Sequence, residues 1–155
     1  MDKESRVHAG DHQALRLWLR LLTCTQHIER RVRARLRERF GTTLPRFDLM
    51  SQLERHPEGL RMNALSQRMM VTGGNVTGIV DQLAAEGLVE RQADEGDRRA
   101  FRVRLTAAGR RAFAQMAREH EAWIVELLAG LTRREHTELF ALLAKVKQHT
   151  LEVTR

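Results

Sequence analysis

From Asp11 to Phe40, Leu15, Trp18, Leu22, Ile28, Val32 and Leu36 recur at helical spacing with neither Pro nor Gly between them. This predicts one long amphipathic helix, ended by Gly41. A second helix is expected from Thr43-Leu44-Pro45, because proline is tolerated in a first turn. Phe47, Met50 and Leu53 form its apolar side, and His56-Pro57-Glu58-Gly59 stops it. Asn63 to Met69 reads as a third helix, and a fourth runs from an N-cap at Thr72 to Glu86, with Val76, Ile79, Val80 and Leu83 inward. Past Gly87 the period drops to two. Leu88–Ala93 and Ala100–Leu105 read as strands, with Phe101, Val103 and Leu105 on one face and D-E-G-D-R-R as the hairpin tip between them. Thr106 caps a fifth helix reaching Gly130 and carrying Phe113, Met116, Trp123, Leu127 and Leu128. Thr132-Arg133-Arg134-Glu135 is a capping box opening a last helix with Leu139, Leu142, Leu143 and Val146 apolar.

The expected fold is therefore mainly α with a small β-hairpin wing: a winged helix-turn-helix flanked by long helices. Residues 44–105 form the DNA-binding region, and residues 1–43 and 106–155 a helical dimerisation region, in one intertwined domain. The flanking stripes are too long for the 44–105 module to cover, so a second copy is expected to bury them in a homodimer.

Composition narrows the class. The 155 residues hold 27 Lys+Arg against 20 Asp+Glu, a net charge of +7, and a single Cys. No apolar run approaches the roughly 20 residues of a membrane span, and M-D-K-E-S-R is not a secretory signal. One cysteine excludes an internal disulfide and suits a reducing compartment, so a cytoplasmic protein without membrane partners is expected. No P-loop, G-x-S-x-G, H-E-x-x-H or dinucleotide fingerprint occurs, which argues against an enzyme. The charge is uneven: residues 16–39 carry eight Arg and two Glu, whereas residues 60–104 carry seven Arg and six acids. Arginine clusters suit phosphate, although a solvated helix face would look the same.

In a winged helix-turn-helix the second short helix reads the major groove. Its first residues, Thr72, Gly73, Gly74, Asn75, Thr77 and Gly78, include no acid. Asn75 can pair adenine bidentately and Thr77 can touch a base edge or phosphate. Gly73 and Gly74 either bring backbone N–H groups to a phosphate or simply form the turn. At the wing tip Arg98 or Arg99 can enter a minor groove, with Asp97 orienting one guanidinium.

The stretch VTGGNVTGIVDQLAAEGLVERQADEGDRRAFRVRLTAAG resembles the signature of MarR-family transcriptional regulators, in its recognition helix, G-L-V-E-R strand, D-R-R tip and L-T-x-x-G helix start. The resemblance implies a two-fold dimer that binds palindromic double-stranded operator DNA and releases it when a small ligand enters a cleft beside the winged helix. It implies DNA contacts by Thr72, Asn75, Thr77, Arg98 and Arg99, with Arg61 and Arg68 on phosphates. A repressor without a cofactor is expected.

Three effector chemistries stay open. Cys24 stands where some family members keep a peroxide-sensing cysteine, but the chain has no Tyr to stabilise a thiolate, and a packed helical stripe would leave the thiol inert. His8 and His12 alone have i,i+4 spacing, without accompanying carboxylates, so no metal site is expected. Trp18, Leu22, Arg46, Phe47 and Met50 are the candidates for an apolar pocket with a cationic edge, suited to an aromatic acid or its CoA thioester. The stretch LRLWLRLLTCTQHIERRVRARLRERFGTTLPRFDLM resembles members that control breakdown of hydroxycinnamates and related aromatics, some of which respond to acyl-CoA thioesters. The arginines of 16–39 would take the phosphates of such a thioester. A non-specific architectural DNA binder is the competing function.

Overall fold

The computed structural model describes residues 3–69 and 75–154. The chain divides into two compact units, Met1–His120 and Glu121–Arg155. In the first, α1 (Lys3–Phe40), α2 (Leu44–Glu54), β1 (Leu60–Arg61), α3 (Met62–Arg68), α4 (Val76–Ala85), β2 (Val89–Asp94) and β3 (Asp97–Leu105) follow in order. Helix α5 (Ala107–Leu127) comes next, and α6 (Arg133–Val153) belongs to the second unit.

The first unit is built around apolar side chains, most of them at the positions the periodicity singles out, with Leu49 an addition it did not mark. Leu36 of α1, Leu49, Met50 and Leu53 of α2, Leu65 of α3, Val80 and Leu83 of α4 and Val103 of β3 are its most deeply buried side chains. Helix α2 packs on β3 and α4 on β2, so the sheet's inner face closes the core beneath the helices. The sheet is antiparallel in the order β1-β3-β2, with Leu60 opposite Val103 and Val89 opposite Leu105.

Local chemistry explains the joints. Thr43 caps α2 by accepting from the Arg46 amide, and Pro45 sits in the first turn. Gly59 has φ +87°, and a Cβ there would lie 2.9 Å from the Val103 carbonyl oxygen, so β1 can approach β3 only with glycine before it. The L-T-x-x-G segment is a clamp. Thr106 Oγ1 donates to the Gly87 carbonyl (2.7 Å) and accepts from the Gly109 amide (3.0 Å). A Cβ on Gly109 would fall 1.9 Å from the Leu88 carbonyl oxygen, so α5 starts against the backbone leading into β2.

Four expectations are corrected. Helix α1 starts at Lys3, not near Asp11. The sequence pattern misses β1, whose two residues are too short for any period to show. Helix α4 begins at Val76 with Asn75 as its N-cap, not after a Thr72 cap; Thr72, Gly73 and Gly74 lie outside the described residues. The hairpin turn is only Glu95-Gly96, with an irregularity at Ala93/Asp94, so Asp97, Arg98 and Arg99 belong to β3.

In the second unit, Thr132 Oγ1 accepts from the Glu135 amide and the Glu135 carboxylate from the Thr132 amide, the expected capping box. His136 Nε2 lies 3.0 Å from the Leu128 carbonyl oxygen. No residue of α6 is buried, and Leu139, Phe140, Leu142, Leu143 and Val146 are all exposed.

Candidate nucleic-acid interface and neighbouring cavity

Asn75 accepts from the Thr77 amide through Oδ1 (3.1 Å), which fixes its side chain at the start of α4. The cap occupies one lone pair of the oxygen and leaves the amide N–H₂ as a donor. Asn75 is exposed, Thr77 is exposed, and no acid occurs in the first turn of α4. Arg68, in the last turn of α3, is exposed as well.

The arginines of the wing divide into two sets. Arg61 donates to Asp94 Oδ2 at 2.5 Å, and Arg102 Nε stands 3.7 Å from the same oxygen. Asp94 is 8% exposed, and its Oδ1 accepts from the Gly96 amide (3.0 Å). The Gly96 amide first, then Arg61, hold its carboxyl below the usual carboxylate range. Arg91 pairs with Asp81 of α4, and Arg104 with Glu90 across the hairpin. These four arginines therefore brace the wing, and Arg61, expected on a phosphate, has its guanidinium on Asp94. Arg99 is exposed. Asp97 Oδ1 accepts from the Arg99 backbone amide (2.9 Å), so it shapes the strand start rather than orienting the Arg99 guanidinium. The Arg98 side chain lies outside the described residues. Phe101, expected on one strand face with Val103 and Leu105, is half exposed, whereas those two are buried.

Of the five ligand candidates, Arg46 and Met50 line one cavity of about 170 Å³, together with Phe40, Thr42, Glu86, Leu88 and Met116. Arg46 is the polar hub. Its Nε donates to Thr42 Oγ1 (3.1 Å), its Nη1 to Gln82 Oε1 (3.3 Å), and its Nη2 to the Glu86 carboxylate. Phe47 is instead core, its ring 5.4 Å from Phe113 and 4.8 Å from His120. Burial alone pushes the His120 pKa down from 6.5. Trp18 and Leu22 are not brought to the cavity within one protomer. Trp18 lies 22 residues before Phe40 on one continuous helix, roughly 33 Å along its axis, and is exposed. Glu86 was not predictable, since its pairing with Arg46 joins elements 40 positions apart and leaves no periodic trace, whereas Thr42 is a local partner four positions before Arg46.

Cys24 is exposed rather than packed in a stripe. His12 is exposed, and the His8 side chain lies outside the described residues. Among the described residues no group of three or more His, Cys, Asp or Glu could hold a metal ion. Among them, too, no helix is long and apolar enough to cross a membrane.

Helices α3 and α4 with the three-stranded wing define a winged-helix protein. The MarR family model matches residues 40–100. A MarR family transcriptional regulator from Silicibacter pomeroyi is 32% identical, with a TM-score of 0.80 over 92% of this chain and 98% of that one. The chain belongs to the MarR family. It is also 29% identical over 105 residues to the HTH-type transcriptional regulator PecS of Dickeya dadantii, covering 66% of this chain and 63% of PecS. The match takes in less than two thirds of the length of the curated relatives. Sco3205, a MarR family transcriptional regulator from Streptomyces coelicolor whose structure contains DNA, shares the fold: TM-score 0.76 at 19% identity, over 89% of this chain and 88% of that one.

Proposed function

We propose that the protein is a cytoplasmic, homodimeric DNA-binding transcriptional regulator that represses from a palindromic operator, and not an enzyme. The observation that carries this reading is the start of α4, where Asn75 and Thr77 are exposed at an acid-free helix N-terminus. Exposed Arg68 stands on α3, the helix that precedes it, and exposed Arg99 on β3 of the wing. Asn75 and Thr77 are the base-reading candidates, and Arg68, Arg98 and Arg99 contact phosphate or the minor groove. Thr72 completes the interface by resemblance, and Gly73 and Gly74 by the backbone N–H groups they can bring to a phosphate. Arg61 acts by holding the wing through Asp94. The exposed leucines of α6 are the surface a second copy would cover. Selection of binding sites from a random duplex pool tests the reading. Enrichment of a palindrome with half-sites about one helical turn apart is expected; recovery of unrelated sequences would make the protein an architectural DNA binder instead.

The effector reading rests on the cavity at Arg46. At about 170 Å³ it is below the roughly 300–1,000 Å³ of sites for drug-sized ligands, which suits a compact aromatic acid. An acyl-CoA thioester is the second reading. It is favoured by an adjoining groove of about 370 Å³ in which Arg33 joins Arg46. Thermal shifts with benzoate, cinnamate and cinnamoyl-CoA separate them, and no shift with any of the three would remove both.

A further inference from the structure

Arg46 ties α2 to the far end of α4. Its guanidinium reaches Gln82 and Glu86, the latter being the C-cap of α4, while Asn75 and Thr77 stand at the other end. Ten residues separate the ends by about 15 Å. The ion pair is lopsided. The Arg46 side chain is 15% exposed and that of Glu86 50% exposed, so Glu86 can turn into water while Arg46 stays where it is. Both groups also line the cavity, whose other walls include Phe40, Met50 and Met116. An acid entering with its apolar part against those residues meets a fixed cation already occupied by a movable carboxylate. Two carboxylates cannot both hold the same donors at full strength, and like charges that close repel.

We propose that Arg46 is an exchangeable anchor: Glu86 holds it in the DNA-binding state, and a compact organic carboxylate in the cavity takes it and expels Glu86. The C-terminal end of α4 then loses its tie to α2, and the reading end loses its fixed position. The ligand acts only through its different affinity for the two states, so the coupling equals the preference for Arg46 without Glu86. This rests on the effector reading above and adds the ligand's charge, its partner and the bond it breaks.

The test uses the full chain with benzoate and cinnamate as probes, and benzamide and cinnamide as their uncharged counterparts. Glu86→Gln keeps a hydrogen-bond acceptor for Arg46 but removes the competing charge. The acids are expected to bind this variant about tenfold more tightly, within the usual range of allosteric couplings, with the amides unchanged. The acids should also no longer weaken its binding to the selected DNA. Arg46→Gln should lose the acids and speed amide hydrogen exchange at the C-terminal end of α4 without ligand. Equal acid affinity in wild type and Glu86→Gln, or equal release of both from DNA, would overturn the exchange and leave the effector reading standing. Unchanged exchange in Arg46→Gln would overturn it too. Failure of wild type to bind either acid would overturn the effector reading itself.

Discussion

Between Leu44 and Leu105 the chain buries its apolar residues against one another, whereas α6 carries a comparable apolar stripe and buries none of it. The 44–105 segment also pairs several of its charges internally, with Arg61 on Asp94, Arg91 on Asp81 and Arg104 on Glu90. On α6, Leu139, Leu142, Leu143 and Val146 repeat at helical spacing and face solvent in a single protomer. Contiguous exposed apolar surface of this kind marks an interaction site. The winged module thus has its apolar residues covered within one copy, with help from Leu36 and Phe113, whereas the α6 stripe is open.

The largest effect should come from charging that open stripe. Leu142→Glu with Val146→Glu is expected to convert dimer to monomer in light scattering and to lower operator affinity on the order of 100-fold. The Leu49 core should keep its slow hydrogen exchange; if it is lost as well, the contrast between the two regions fails. Leu49→Ala does the reverse. It removes a fully buried side chain and should cost about 2–5 kcal/mol of stability in denaturant unfolding. The protein that remains folded should still dimerise.

Smaller effects separate the two kinds of arginine. Arg99→Ala should weaken all DNA sequences alike and lower the salt slope by about one. Asp94→Asn should instead loosen the wing, seen as faster exchange in β3. Asn75→Ala would mix a lost cap, worth about 1 kcal/mol, with lost base reading. Asn75→Ser keeps a capping oxygen and removes the amide donor, so it should relax base preference with little change in stability.

The smallest effect is a pH step. Burial lowers the His120 pKa in the folded state below the ordinary 6.5, so as pH falls the unfolded state takes up this proton first. Stability is complete above 6.5 and declines below it. The melting temperature should show that decline, and His120→Gln should remove it. The further losses in the carboxylate range, where Asp94, Glu119 and Glu135 titrate with lowered values, should remain.

Much of this was legible in the sequence, for identifiable reasons. Helical spacing marks Leu36, Leu83 and Phe113 as buried, and the Thr132–Glu135 box sets the start of α6, because each depends on neighbours within a turn or two. The same spacing misplaces Trp18, since a stripe looks alike whether it faces its own core or awaits another copy. Asn75 replaced Thr72 as the N-cap because both residue types suit the position and only the backbone decides between them. The Arg46–Glu86 tie spans elements 40 positions apart and has no local signature. Nor could the sequence separate arginines that brace the wing from those that face outward, because strand register decides which carboxylate each one meets.

The proposed function requires two protomers to read one DNA sequence through α4. Fluorescence anisotropy with the selected duplex and a scrambled duplex, at physiological salt and with stoichiometry measured on the same samples, tests it most directly. Two protomers per duplex and at least about a thousandfold preference for the selected sequence are expected. Equal affinity for the two duplexes would contradict it.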